Sequence, residues 1–162
     1  MPLLRKTGVD LHDHWQRLND DEALPANPAN SVISLTRLLS VHTEGLKHGG
    51  AVIINPEDDV YALQGLVQQL KLVCISFPAF TDGRGYSHAR ILRKRLNYEN
   101  EIRAVGDIRL DQIAFMARTG IDSFELQQHP DETMVDTLTA RFTTNYQPSY
   151  QWQRFSASDA GT

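Results

Sequence analysis

The sequence predicts an α/β domain: a mostly parallel sheet of about five strands with flanking helices and a small N-terminal hairpin. Short apolar, β-branched runs recur along the chain at Ser31–Leu35, Ala51–Ile54, Leu72–Phe77, Glu101–Gly106 and Ser123–Leu126. The segments between them carry apolar residues at helical spacing. Each passage from a run into the next such segment is a polar turn rich in Asp, Asn, Pro or Gly.

Taken in order, Leu3-Leu4-Arg5 and Val9-Asp10-Leu11 flank Lys6-Thr7-Gly8, which reads as a hairpin. Asn19 to Asn30 is polar and contains Pro25 and Pro28, so residues 1–30 are expected to be hairpin plus linker. The α/β domain then spans 31–147, and 148–162 form an irregular tail ending in SASDAGT. After the first strand a weakly amphipathic segment runs to Gly49-Gly50. Ala51–Ile54 is continuously apolar, as suits a strand covered on both faces. Asn55-Pro56-Glu57-Asp58-Asp59 opens a helix with Val60, Leu63, Leu66, Val67 and Leu70 on its inner side.

The strand Leu72–Phe77 leads through the loop 78–85 into a helix over 86–97, with Ala89, Leu92 and Leu96 inward. Leu110, Ile113, Ala114 and Ala117 define a further helix, stopped by Gly120. Asp131 caps the last helix, which reaches Phe142. Five such units are too few for a closed barrel, which needs about 250 residues. An open doubly wound sheet is the first expectation and a partial β/α barrel the alternative. In either, ligands bind where the loops leave the C-terminal strand ends: 55–59, 78–85, 107–109 and 127–130.

Composition narrows the function classes. The 162 residues suffice for one core, and 41% hydrophobic with 22% charged residues is ordinary for a globular domain. A net charge of −4 argues against nucleic-acid binding. Basic residues nonetheless crowd one region: Arg84, Arg90, Arg93, Lys94, Arg95, Arg103 and Arg109. The single cysteine, Cys74, lies in an apolar strand and reads as a buried hydrophobe. No apolar run approaches the ~20 residues of a membrane helix, and the N-terminus lacks a signal-peptide core, so a cytoplasmic protein is expected.

Function is expected between Phe77 and Asp107. Gly83, Arg84, Gly85 and Ser87 lie where a strand-to-helix loop meets a helix N-terminus, whose free N–H groups favour anions. Arg84 is suited to clamp an oxyanion such as sulfite, sulfate or phosphate. The plainer reading is a glycine turn with Ser87 as cap. The loop lacks both the third glycine of a dinucleotide fingerprint and the Lys-Ser/Thr of a P-loop. Asp82 and Asp107 are candidate catalytic carboxylates at one sheet edge, or else a turn residue and a helix cap.

Arg90, Arg93 and Lys94 form a basic helix face, a candidate docking surface for an acidic partner. Glu101 and Arg103 share a strand face and are expected to pair structurally with Arg93 or Arg95. His12 and His14 flank Asp13 but have no further ligands at suitable spacing, so no metal is expected. His42, His48, His88 and His129 are scattered, with only His88 near the loop.

Phe77-Pro-x-Phe-x-Asp-Gly-Arg-Gly-Tyr-Ser-x-Ala-Arg-x-Leu-Arg, followed by Tyr98, Glu101, Arg103-Ala-Val-Gly-Asp107 and Asp111-Gln112, resembles the bacterial domain of unknown function 934. The likeness extends loosely over 51–147, through Gly120-x-Asp122-x-Phe124 to Tyr146-Gln147. Asn97 and Asn100 stand where that family usually has glycines, and Thr119 where it often has cysteine. The resemblance implies a protein associated with the sulfite reductase haemoprotein, of a kind labelled as oxidoreductases of sulfite reduction. It carries over no catalytic residues. Sulfite reduction requires cofactors to move its electrons, and the chain shows no flavin or nicotinamide motif, so no cofactor of its own is expected. The expectation is therefore an oxyanion-binding or reductase-docking accessory factor. An enzyme acting on an anionic substrate is the alternative.

Overall fold

A computed structural model of the chain describes residues 1–5, 7–41 and 49–143. His42, His48, Tyr146-Gln147 and the predicted tail lie outside them. The strands are β1 (Leu3–Arg5), β2 (Gly8–Asp10), β3 (Gln16–Arg17), β4 (Ser31–Ser34), β5 (Ala51–Ile54), β6 (Leu72–Phe77), β7 (Glu101–Gly106) and β8 (Ser123–Glu125). The helices are α1 (Leu35–Ser40), α2 (Arg84–Lys94), α3 (Ile113–Arg118) and α4 (Glu132–Thr143).

The sheet corrects the sequence-based expectation. It has eight strands, not about five, in the order β2-β1-β8-β7-β6-β5-β4-β3. Strands β3 to β8 are parallel and lie in sequential order, while β1 and β2 add an antiparallel edge beside β8. Sequential parallel strands with right-handed crossovers place their helices on one face, so the fold is not doubly wound. The sheet curls into a half-barrel instead. Residues 3–17, expected to be hairpin and linker, supply three of its strands.

Chain geometry shows why the sheet must curl. From Asp10 on one edge to Gln16 on the other there are only six peptide steps, spanning at most ~21 Å. Crossing a flat sheet of that width would take about 33 Å. The segment between them therefore passes as a chord over the concave face. Arg17 on β3 reaches Glu125 on β8 at 2.6 Å, which a flat sheet would also forbid.

Alternation along the strands sorts two faces. Ile33, Val52, Ile54, Val73, Ile75, Phe77, Ile102, Ala104 and Phe124 turn toward the helices and join Leu35, Ala89, Leu92, Ile113, Met116 and Leu138 in the main core. Val32, Ala51, Leu72, Cys74 and Val105 turn to the concave face, where Trp15 of the crossing segment packs on them.

The concave face also holds charge. Arg103, 2% exposed, gives Nη1 to Asp13 at 2.6 Å, while its Nε and Nη2 meet Glu101. Glu101 further accepts from Ser123 and Arg5. Glu101 and Arg103 thus share a face as expected, but their partners are Arg5, Asp13 and Ser123 rather than Arg93 or Arg95. Burial alone would raise the Glu101 pKa, yet the Ser123 hydroxyl, Arg103 and Arg5 outweigh it and hold the carboxyl below its ordinary value. Glu101 opens β7, and the N-terminal end of such a sheet is where residues serve stability.

Between β5 and β6 the expected helix is absent. Two 3₁₀ turns, Val60–Leu63 and Val67–Gln69, take its place. Gln64 leaves the helical region at ψ 127° and Gly65 has φ +84°, which ends the first turn before an α-helix can propagate. Most of the helical spacing survives as burial: Val60, Leu63, Val67 and Leu70 enter the core, while Leu66, also expected inward, stays half-buried outside it.

Candidate functional site

The C-terminal ends of β6 and β7 carry the loop leading into α2 and the turn 107–112. The two are fastened through Phe80. Its N–H donates to Asp107 Oδ2 at 3.1 Å, its carbonyl accepts from Gln112 Nε2 at 3.1 Å, and the Arg109 guanidinium lies 3.4 Å from its ring centroid. Main-chain contact adds Asp107 N–H to the Phe77 carbonyl at 2.7 Å. The result is a preorganised rim with Phe80 partly exposed and Arg109 exposed.

The predicted anion site is occupied from within. Asp82 Oδ1 accepts from the Arg84 N–H at 3.1 Å, and its carboxylate takes the Arg84 side chain through Nε and through Nη2 at 2.7 Å. Asp82 thereby places a carboxylate where an external anion was expected. The Arg84 side chain and then its N–H hold the Asp82 pKa down at about 2. Gly83 and Ser87 are exposed. Gly85 serves packing: a Cβ there would stand 2.5 Å from the Phe77 ring, so glycine lets α2 settle on β6.

The candidate carboxylates are both engaged, with different partners. Asp82 stabilises its turn, as the plainer reading had it. Asp107 secures Phe80 rather than capping a helix, and the following 3₁₀ turn has no side-chain cap.

Of the basic helix face, Arg90 and Lys94 are exposed but Arg93 is buried at 3% exposure. Arg93 donates to the carbonyls of Tyr98, Asn100 and Gly120 and pairs with Asp122. Asp122 also accepts the Ile102 N–H at 2.8 Å. Arg93 is therefore a structural bolt between α2, β7 and the turn before β8, not a docking residue. Gly120 has φ +108°, and a Cβ on it would strike the Arg93 side chain. Asn97 has φ +52°, a conformation asparagine tolerates and glycine adopts freely, which explains the substitution noted at that position. Thr119 is buried and bonds the Met116 carbonyl.

The sequence brought out Arg109, Phe80 and His88 only as one of a basic cluster, a motif position and a histidine near the loop, and named none of them as a site residue. Nothing in the sequence shows that Phe80 and Arg109, which follow different strands, meet. His88 is buried with Nδ1 unpartnered among the described residues, and burial lowers its pKa. His12 and His14 are exposed on the crossing segment. Among the described residues, no three His, Cys, Asp or Glu side chains group as metal ligands, and no helix is long and apolar enough to cross a membrane.

Two cavities are notable. One of about 310 Å³ lies between β2 and α4, lined in part by Glu132 and Asp136. The other, about 260 Å³, opens at the rim beside Arg109.

Fold and rim together define an α/β half-barrel protein with a ligand-accessible C-terminal edge. A family model matches residues 51–155, and the chain belongs to that family, DUF934, described as a bacterial protein of unknown function. No curated protein matches the chain.

Proposed function

We propose that the protein is an accessory factor of sulfite reduction whose rim recognises an anionic group, either a small oxyanion or an acidic patch on the reductase. The observation supporting this is the fastened rim itself, where Arg84 and Arg109 expose guanidinium groups on two loops joined through Phe80. Neighbouring Tyr86 and Phe115 stack edge to face, and Phe115 is exposed. Aromatic and arginine side chains together are the composition of interface anchors. The sulfite assignment rests on the motif resemblance.

In this reading the chain binds rather than reduces. Cys74 is buried, which pushes its pKa up to about 12 despite nearby Arg103, so the thiol is not a redox nucleophile. A catalytic reading would need Asp82 or Asp107 at liberty, and each already has a structural partner.

The test is a chromosomal deletion in a bacterium encoding the protein, grown with sulfate or with cysteine as sulfur source. The deletion should require cysteine, and Arg84→Ala and Arg109→Ala should complement it poorly. Normal growth of the deletion on sulfate removes the pathway assignment. Full complementation by both variants removes the rim.

A further inference from the structure

The 260 Å³ cavity beside Arg109 is built from two adjacent strand exits, residues 108–110 after β7 and 126–128 after β8. Ile108 and Leu126 are buried and Leu110 half-buried, giving an apolar wall, while Gln127 and Gln128 are exposed at its mouth. The wall is fixed in place, since the Leu126 N–H donates to the Pro2 carbonyl at 2.9 Å.

Arg109 supplies the charge, and it differs from Arg84 in one respect. Arg84 is taken up by Asp82 in a multiply bonded pair, so an arriving anion must displace a carboxylate already there. Among the described residues Arg109 has no carboxylate partner; one face of its guanidinium rests on Phe80, which leaves the N–H edges to donate. Stacking fixes the group in advance and lowers the entropy cost of binding.

Cavity size selects the ligand. One water occupies about 30 Å³, and pockets for drug-sized molecules begin near 300 Å³. A space of 260 Å³ exceeds what an inorganic oxyanion needs, and its apolar wall has nothing to offer one.

We propose that this cavity binds a small organic anion, a carboxylate or sulfonate on a short apolar body, with the head group on Arg109 and the body against Ile108, Leu110 and Leu126. The proposal rests on the rim reading and narrows its anionic group to an organic anion in place of an inorganic one. Gln127 and Gln128 add amide donors and acceptors at the entrance.

The experiment is an amide and side-chain NMR titration of the full chain with benzoate, benzenesulfonate, benzamide and inorganic sulfate. Saturable binding of benzoate or benzenesulfonate should shift the Gln127 and Gln128 side-chain amides. Benzamide and sulfate should each bind at least about tenfold more weakly, as loss of one charge-assisted contact or of the apolar contact implies. Arg109→Gln should weaken the anions by a similar factor, whereas Arg90→Ala, at an exposed position of α2 outside the rim, should leave them unchanged.

The proposal is overturned if neither organic anion saturates, if benzamide or sulfate matches them, or if Arg109→Gln has no effect. It is equally overturned if Arg84→Ala abolishes binding, since the anion then sits at the other loop. Arg109 is exposed, so replacing its side chain leaves the buried core intact. Failure here leaves the sulfite-pathway reading standing on the growth test, and failure of the growth test leaves the cavity to this titration.

Discussion

The Arg109 guanidinium lies 3.4 Å from the ring centroid of Phe80, joining two loops that leave neighbouring strands. Both residues face solvent, so the contact contributes order more than stability. Phe80→Ala should cost no more than about 1 kcal/mol, the scale of an exposed cation–π pair. It should also release the Arg109 side chain, read as loss of the ring-current shift on its Nε–H. An unshifted Nε–H would mean that the stack does not hold in solution.

Arg93 and Arg90 stand three residues apart on α2 with opposite fates. Arg93→Ala removes the Asp122 ion pair and the side-chain donor to three carbonyls, so urea unfolding should show a loss of about 3–5 kcal/mol, as for other broken buried pairs. Arg90→Ala should change stability by about 0.5 kcal/mol or less. Equal effects would contradict the burial difference.

Asp82 should titrate well below the ordinary aspartate value. Its carboxyl carbon is expected to show a midpoint near 2, against an ordinary 3.8. A lowered pKa favours the folded state above the ordinary value and loses that contribution as pH falls through 2. Arg84→Ala removes the side-chain bonds but keeps the Arg84 N–H, so the midpoint should return only part of the way. A wild-type midpoint at 3.8 would show the pair to be absent.

Glu101 makes acid the weak point of the concave face. Its pKa is lowered, so the stability it contributes is complete above its ordinary value of 4.5 and fades as pH falls below that. Protonation would cost the ion pairs with Arg5 and Arg103. Urea midpoints measured between about pH 6 and pH 3 should fall more steeply for the native chain than for Glu101→Gln. Parallel slopes would assign the acid sensitivity elsewhere.

Cys74 should resist thiol reagents until the fold opens. Its sulfur is covered on the concave face and its pKa stands near 12, so labelling should follow the unfolding transition. Rapid labelling of the native chain would mean that the crossing segment bearing Trp15 lifts from the sheet.

Three strands were legible residue for residue: Ala51–Ile54 and Leu72–Phe77 are mainly apolar runs whose burial on both faces writes itself into composition, and Glu101–Gly106 is legible between its flanking helices despite Glu101 and Arg103. Asp131 as the cap of the last helix, and the hairpin around Thr7-Gly8, were also local signals; Asp131 accepts the Met134 N–H as a cap should. The rim's location followed from strand-to-helix order alone. Pairing between distant segments had no such signature. Gln16–Arg17 is two exposed residues, and only its contact with β4 makes it a strand.

Periodicity over Val60–Leu70 recorded which residues are buried and not which helix buries them, a choice settled by the backbone at Gln64 and Gly65. Charge behaved likewise. A run of basic residues does not reveal that Arg93 and Arg103 turn inward, because their partners Asp122 and Asp13 arrive from other parts of the chain. Nor does it reveal that Arg84 is already paired with Asp82 while Arg109, among the described residues, has no carboxylate partner. Local sequence sets backbone preference and the pattern of burial, whereas which charges meet depends on how the sheet curls and brings remote segments together.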